Sequence, residues 1–313
     1  MLMFTLKRVA AGVVLLAVIS VIAFLLLYVS GGDIARHIAG PTATQATVDR
    51  IAAQFGLDQP LVQQYWNWLT SAVTGNLGRS WSSSQLVSSS IGARLPVTLS
   101  LVIGTTIVTA IASVLLGVLA ARRGGWIDST VQVIAVVGFA IPGFLIALVL
   151  VVVFAVDLGW FKATGYIPLT TSISGWLSTV TLPIIALAIG AIAAVAQQVR
   201  GSVLDAMSRD YVRTLRSRGL RMNRVLYRHI LRNAGGPALA ILSVQFVGLL
   251  GGTVLVEQIF ALPGLGQLTV TAVSKNDIPL VMGLVIAFAV IVIVANLLID
   301  LAQAALNPKV RLS

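Results

Sequence analysis

The densest group of chemically capable side chains in this sequence is a run of nine arginines, with no lysine, between Arg200 and Arg232. A guanidinium group stays protonated in proteins, so it does not serve as an acid or a base. Its fork of N–H donors instead binds carboxylates and phosphates. The run therefore predicts a binding surface, and the question becomes which elements present it.

Other side chains that carry chemistry are sparse. The sequence has no cysteine, and its two histidines, His37 and His229, lie far apart, so we expect no metal site. It contains neither a G-x-x-x-x-G-K-[ST] loop nor an H-E-x-x-H pair, and no nucleophile with a base beside it. We therefore expect no catalytic residue and no cofactor in this chain, which is not an enzyme.

The elements that must position the arginines are membrane helices. The chain is 58% hydrophobic and only 10% charged, with a mean hydropathy of +0.98, whereas soluble domains carry about 25% charged residues. Apolar runs of a length that spans a bilayer predict an all-α integral membrane protein with six transmembrane helices. The predicted spans are Val9–Ser30, Val97–Ala121, Val131–Val156, Thr181–Val199, Pro237–Phe260 and Pro279–Ala302. The first resembles a signal peptide in its flanks, but its length favours a retained anchor.

Charge asymmetry predicts the orientation. With the N-terminus inside, inner segments hold fifteen of the 21 lysines and arginines, which the positive-inside rule favours. Both termini are then cytoplasmic. The overall charge of +11 is explained by topology, so we expect no nucleic-acid partner.

Within the arginine-rich segment, a helix–glycine–helix pattern is expected. Leu204, Met207, Tyr211 and Leu215 have helical spacing on one stripe, and the first helix should end near Ser217. Gly219 would supply the left-handed residue that follows, and Asn223 would cap a second short helix. Two short helices of this kind predict a compact lever that fits a soluble partner. The alternative is a lipid anchor, in which the arginines only bind anionic headgroups of the membrane.

The outer loop, Gly31 to Pro96, has two predicted short helices, Thr47–Phe55 and Pro60–Val73. Their aromatic residues have two compatible interpretations: they seat a helical hairpin at headgroup depth, or the loop also receives an external protein that delivers a ligand. The candidate docking residues are Tyr65, Trp66, Trp68 and Trp81.

Polar or helix-breaking residues within the spans are candidates for a translocation path. Pro142 should kink the third span, either as a hinge or as a static bend. Glu257 lies near the outer end of the fifth span and is either a gating carboxylate or one that water satisfies. Asp300 is expected to pair with a cation of the inner surface. The path or gate candidates are Pro142, Phe144, Glu257 and Pro263.

Several strings together resemble one family, the permease subunits of ABC importers of the dipeptide, oligopeptide and nickel group, B-type. Any one of them is weak, but their order along six spans is specific. They are Tyr211-Val212-Arg213-Thr214 with Gly219-Leu220, Phe55-Gly56-Leu57-Asp58-Gln59-Pro60-Leu61, Gly75-Asn76-Leu77-Gly78, Arg94-Leu95-Pro96-Val97-Thr98-Leu99, Ile141-Pro142-Gly143-Phe144, Gly252-Thr253-Val254-Leu255-Val256-Glu257 and Pro263-Gly264-Leu265-Gly266.

The resemblance implies a type I ABC importer permease fold in a bacterial plasma membrane. It implies residues 1–30 as the N-terminal tail and first span, 31–96 as an extracytoplasmic loop, and 97–313 as the permease core, with an ATPase-coupling segment at 200–234. The implied partners are a second, similar permease, two ATP-binding subunits or domains, and an extracytoplasmic solute-binding protein. The predicted coupling residues are Asp205, Asp210, Tyr211, Arg213, Thr214, Leu215, Arg216, Arg218, Gly219, Leu220, Arg224, Arg228 and His229.

The resemblance favours peptides as the substrate, with nickel, glutathione or another small solute as alternatives. A more distant alternative is that the chain acts as an autonomous channel or as a membrane scaffold. Some strings depart from the family pattern: Leu215 stands where alanine is usual, and the family's aspartate-proline motifs appear as Gly32-Asp33-Ile34 and Asn307-Pro308-Lys309. These changes indicate a divergent member.

Overall fold

The computed structural model describes residues 2–30, 34–40 and 42–306, and its regular elements there are helices, apart from one isolated bridge between Arg79 and Leu86. The string Asn307-Pro308-Lys309 and most of Gly32-Asp33-Ile34 lie outside these residues. The helices are α1 Leu2–Ser30, α2 Ile34–Ala39, α3 Gln45–Phe55, α4 Leu61–Val73, α5 Val87–Arg123, α6 Gly125–Ala140, α7 Gly143–Leu150 with a π-helical extension Val151–Asp157, α8 Ile173–Ser208, α9 Asp210–Ser217, α10 Met222–Val225, a π-helical turn Leu226–Ile230, α11 Leu231–Ile259, α12 Leu265–Ser274 and α13 Ile278–Leu306.

The described residues contain five candidate membrane spans, or six if one bent pair of helices counts as a single span. Five helices are long and apolar enough to cross a bilayer by themselves. The sixth candidate is the pair α6 and α7 with its extension, which bends by 93° at the break. The expected single helix Val131–Val156 is therefore wrong.

The break in the third span lies at Pro142. The preceding residue, Ile141, is extended at φ −84° and ψ 122°, which is the conformation that a following proline favours. The Ile141 N–H closes α6 on the carbonyl of Val137, and the Leu145 N–H opens α7 on the carbonyl of Pro142. The expected kink is thus a complete separation of two helices. Proline alone does not cause this, because Pro96, Pro183 and Pro237 lie inside continuous helices.

The chain forms two compact units. The larger comprises residues 97–263 with 294–306 and the first residues of α1. Its central element is α8, whose buried face carries many small residues and packs against α6, α7 and α11. Small residues let helix backbones approach closely in a membrane. At Gly117 on α5, an added Cβ would lie 2.7 Å from the carbonyl oxygen of Ala196, so glycine is required there.

The smaller unit comprises residues 7–96 and 264–293. One apolar cluster joins Val87 and Ile91 to Leu265, Leu280 and Leu284. At Gly283 an added Cβ would lie 2.3 Å from a methyl carbon of Val87. The close packing of α5 and α13 here therefore also requires glycine, which has no side chain.

The two short helices expected in the outer loop are present in this unit as α3 and α4. The first begins two residues earlier than predicted, and the second begins at Leu61, directly after Pro60. Gly56 ends α3 at φ 67°, a left-handed conformation that glycine adopts without strain.

Candidate functional site

The arginine-rich segment begins with a sharp turn at the end of α8. Arg209 is extended, at φ −69° and ψ 145°, and separates α8 from α9. The expectation that Leu204, Met207, Tyr211 and Leu215 form one helical stripe is therefore wrong, because two lie on each helix. Met207, Tyr211 and Leu215 still pack on one apolar cluster, whereas Leu204 is exposed.

Gly219 ends α9 as predicted. Its φ is +81°, and an added Cβ there would meet no other atom within 4 Å, so only the backbone conformation demands glycine. The Gly219 N–H bonds to the carbonyl of Arg216 at 2.9 Å, and the Leu220 N–H bonds to that of Leu215 at 3.3 Å. This is a Schellman motif, in which the helix-ending glycine satisfies carbonyls that the helix leaves open.

The second short helix expected after Gly219 is absent as a separate element. Arg221, not Asn223, precedes the first helical residue. The helix then runs from Met222 through a π-helical turn to Ile259 as one continuous span. Residues 222–234 contain neither glycine nor proline, so the first turns extend α11 beyond the apolar region. The helix also continues through Gly235, Gly236 and Pro237.

One side of this segment is anchored in the core. Val212 of α9 and Val225, Leu226 and Ile230 beyond the turn are buried in a cluster that also contains residues of α5, α8 and α11. We call α9, the turn at Gly219 and α10 with its π-helical turn the elbow. Because apolar side chains on both arms of the elbow share one core with the spans, the elbow and the inner ends of α8 and α11 form one packed body.

The opposite side of the elbow is charged and exposed. Of the predicted coupling residues, Tyr211, Leu215, Leu220 and His229 are half-buried, and the other nine are exposed. Exposed arginines follow one another along the whole surface. They are Arg209, Arg213, Arg216, Arg218, Arg221, Arg224, Arg228 and Arg232.

A cleft of about 390 Å³ opens where the elbow meets the end of α8. Asp205, Arg209, Tyr211 and Asn233 line it. The Asn233 amide donates to the Tyr211 hydroxyl at 3.0 Å, which links α9 to α11 across the turn. The structure thus brings Asp205 and Tyr211, two of the predicted coupling residues, to one opening.

An ion pair in this unit was not predicted from the sequence. Arg200 of α8 donates through two nitrogens to the two carboxylate oxygens of Asp128 on α6. Both side chains are mostly buried. In the sequence, Asp128 and Arg200 each counted only as one charge of the inner segments. The signal that could have suggested their pairing is a negative and a positive residue on two otherwise apolar helices.

The four residues predicted for the translocation path or gate differ in how deeply they are buried. Glu257 is fully buried, and the Thr98 hydroxyl donates to it at 2.6 Å. The carboxylate of Glu257 is thus satisfied by a protein donor, away from solvent, and its role in the structure or in gating stays a prediction. Pro142, Phe144 and Pro263 are exposed.

The four candidate docking aromatics fall into two groups. Tyr65 contacts Phe24 edge-on at 5.2 Å between ring centroids and lies 5.9 Å from Trp68, so these side chains belong to a core. Trp81 packs on Phe55 at 5.1 Å. Trp66 is 62% exposed and is available to a membrane surface or a partner.

The smaller unit also contains a buried carboxylate whose environment the sequence did not reveal. Asp277 is fully buried and accepts hydrogen bonds from the hydroxyls of Ser80 and Ser82 at 2.5 and 2.8 Å. The backbone N–H groups of Trp81 and Ser82 also donate to it, each at 3.1 Å. Almost two hundred residues separate these partners, so no local pattern predicted them.

Family models match nearly the whole chain. The model described as the binding-protein-dependent transport system inner membrane component matches residues 113–312, and its N-terminal companion matches residues 1–102. The chain belongs to this family. It is therefore a multi-pass permease subunit of an ABC importer, as the sequence predicted.

Curated relatives agree over their full lengths. A protein of Brucella abortus (strain 2308), provisionally named a peptide transport system permease, is 40% identical, with 98% of each chain covered. The glutathione transport system permease of Escherichia coli (strain K12) is 36% identical, with 99% of each covered.

A solved structure supports the fold. The MetNI methionine ABC transporter, in inward-facing conformations, matches with a TM-score of 0.54 at 16% identity, over 69% of this chain and 96% of that one. This likeness establishes the type I importer permease fold.

Proposed function

We propose that this chain imports peptides across the bacterial plasma membrane as one of two paired permeases. Two ATP-binding subunits or domains bind at the elbow, and an extracytoplasmic solute-binding protein delivers the ligand to the opposite side. ATP and magnesium are held by the ATPases, and the chain itself has no catalytic residue. Both termini are cytoplasmic in this arrangement.

The observation that carries the proposal is the packing of the elbow. Val212, Val225, Leu226 and Ile230 join its two arms to the inner ends of α8 and α11. A partner that shifts α9 must therefore shift these helices as well, since packed interiors transmit displacement instead of absorbing it. ATP-driven closure of the ATPases then changes the access of the permease pair from inward to outward.

The outward charge of the elbow supports a protein partner over a lipid anchor. A lipid anchor requires cations near headgroups, and the elbow supplies these. It also presents a cleft with Asp205 and a tyrosine held by Asn233. An acidic residue facing anionic lipid is unfavourable, whereas a groove with both charges fits a folded partner.

Peptides are proposed as the substrate because of the relatives' names. A relative from Sinorhizobium fredii, 34% identical over 98% of this chain, is also provisionally named a peptide ABC transporter permease. Glutathione, which is itself a small peptide, is the ligand in the name of the Escherichia coli relative. Nickel and other small solutes remain the alternative that the sequence resemblance raised.

The test uses Gly219, where the turn requires a left-handed backbone. Proline fixes φ near −65° and has no N–H to bond to Arg216, so Gly219→Pro disrupts the elbow. We expect ATP-driven peptide uptake in proteoliposomes and coupled ATP turnover to fall to background, while the amount of inserted chain stays unchanged. Gly219→Asn is the matched control, because asparagine tolerates this conformation and the space around the Cβ is open.

The Gly219 experiment requires co-purification of the tagged chain with a second permease and the ATPases. Normal uptake in Gly219→Pro would show that the elbow does not couple ATP to transport. A chain that recovers no ATPase even after crosslinking in membranes would make the elbow a lipid anchor.

A further inference from the structure

The smaller unit contains a second cleft, distinct from the elbow. It has a volume of about 500 Å³ and lies between the end of α3, one face of α4, the turn at residues 76–81 and the start of α13. This volume is in the range of small-molecule binding sites, which is about 300–1,000 Å³.

One face of α4 forms a wall of this cleft. Gln64, Asn67, Trp68 and Ser71 follow the spacing i, i+3, i+4, i+7, so they project from the same side of the helix. An outer helix that only shielded a core would carry apolar residues on its inward side. This wall instead offers two carboxamides, an indole and a hydroxyl.

The charges around the cleft are one-sided. Its lining has five carboxamide side chains and the guanidinium of Arg79, but no carboxylate. The nearby Asp277 is buried and already accepts hydrogen bonds from Ser80, Trp81 and Ser82. The cleft therefore favours a ligand that is neutral or negative overall and disfavours a cation.

Two polar atoms beneath the wall have no hydrogen-bond partner. They are Oε1 of Gln64 and Nε1 of Trp68, and both are buried. The Gln64 amide nitrogen donates to the carbonyls of Leu57 and Gln59 at 3.3 and 2.7 Å, which fixes the oxygen on the other side. An unmet buried donor or acceptor costs about 1–3 kcal/mol, so such atoms often mark a place that a ligand or water completes.

These two atoms complement a peptide group. Gln64 offers an acceptor and Trp68 offers a donor, whereas a peptide group has one N–H donor and one carbonyl acceptor. At the mouth, the exposed carboxamide of Gln54 can pair with a further peptide group. The side-chain oxygens of Gln59 and Asn76 already accept from Asn67 and Gly78, so these two residues offer their amide nitrogens as donors to peptide carbonyls. Side chains at the wall must shift slightly for a ligand to reach the two buried atoms.

We propose that this cleft binds a short peptide of neutral or negative net charge through its backbone amides. The proposal rests on the proposed function and deepens it by giving this permease a peptide site of its own in the smaller unit. A free peptide is favoured over a protein loop because the concavity has the size of a small-ligand site.

The test measures binding to the full chain in its purified complex, in lipid nanodiscs without a solute-binding protein or ATP. Trialanine is the neutral probe and trilysine the cationic one, with calorimetry and saturation-transfer NMR as readouts. We expect trialanine to bind and trilysine to bind about tenfold more weakly or not at all. Trp68→Phe removes the indole N–H and part of the ring area, while a smaller ring still packs on Tyr65. It should weaken trialanine binding about fivefold or more.

Trp126→Phe is the matched control. It makes the same chemical change at an exposed position of the larger unit, outside the cleft, so trialanine binding should stay within about twofold of the unmodified chain. Equal losses in both variants, or equal binding of both peptides, would overturn the proposal. No binding of trialanine at millimolar concentration would also overturn it, and would mean that water alone satisfies the buried atoms of Gln64 and Trp68. Trialanine binding that appears only with the solute-binding protein present would be binding by that protein, and it would also overturn the proposal.

Failure here is distinguishable from failure of the proposed function. Peptide binding is measured without ATP, whereas coupling is measured by ATP-driven uptake. Normal uptake with no peptide binding at the cleft would refute the proposed peptide site but not the proposed import function. Binding without coupled uptake would instead count against the import mechanism.

Discussion

At the scale of single residues, the chain places carboxylates in dry surroundings and satisfies them with hydroxyl and backbone donors. Asp277 accepts from Ser80, Ser82 and the backbone of the same turn. Glu257 accepts from Thr98. A buried charge without such donors is strongly destabilising, so the hydroxyl residues around these carboxylates are as necessary as the carboxylates themselves.

The Asp277 network gives a direct stability prediction. Asp277→Asn keeps the size of the side chain but turns an amide N–H₂ toward groups that also donate. We expect the free energy of unfolding of the chain in detergent to fall by about 2–3 kcal/mol, since hydrogen bonds to a charged group are lost and donors are left unmet. Thermal unfolding followed by fluorescence measures the change.

Asp58→Asn is the control for Asp277→Asn, because Asp58 is exposed in the same unit and its change should alter stability by less than about 0.5 kcal/mol. Equal stability of the two variants would mean that the serine turn does not depend on the Asp277 charge.

At the scale of elements, the sequence predicted helices well where a single apolar run determined them. Five spans, α3, α4 and the glycine turn at Gly219 all followed from period, length and helix-ending residues. The break at Pro142 and the turn at Arg209 did not, because each is a local backbone choice that the neighbouring helices determine. Pro96, Pro183 and Pro237 show the same residue type inside unbroken helices.

The site was predictable to the same extent. The exposed arginines and Gly219 could be assigned from the sequence because charge and backbone requirements are local. The pairing of Asp277 with Ser80, and of Asp128 with Arg200, joins residues distant in the chain. Hydrogen bonds of this kind have no periodic signature, so only the folded chain reveals them.

The ion pair between α6 and α8 belongs to the element scale, because it joins two helices. Arg200 donates two hydrogen bonds to the carboxylate of Asp128, and both side chains are partly buried. This geometry makes the pair stronger than an exposed one. We expect a double-mutant cycle of Asp128→Asn and Arg200→Met to show a favourable coupling free energy in thermal unfolding.

Salt gives a second check on the same pair. A partly buried pair is screened less than an exposed one, so the coupling should persist at high ionic strength. A cycle of Asp128→Asn with Arg216→Gln, in which the second residue is exposed, should show no coupling. Zero coupling between Asp128 and Arg200 would mean that apolar packing alone holds α6 against α8.

At the scale of the whole molecule, the orientation expected from charge agrees with the proposed function. The positive-inside rule favours a cytoplasmic position for the arginine-rich elbow, which is where ATP is available to the proposed ATPases. In the proposed orientation the peptide cleft faces outward, where a solute-binding protein would release its ligand. An inverted chain would separate each surface from the partner that it needs.

The absence of cysteine makes this orientation measurable without background, because the unmodified chain has no thiol to label. Trp66→Cys and Arg216→Cys each place one thiol at an exposed position, and a membrane-impermeant maleimide is added to spheroplasts. We expect Trp66→Cys to be labelled in intact spheroplasts and Arg216→Cys only after lysis. Ala196→Cys, buried on α8, should react only after denaturation. The reverse pattern at positions 66 and 216 would place the elbow outside, where ATPases cannot reach it, and would remove the basis of the import mechanism.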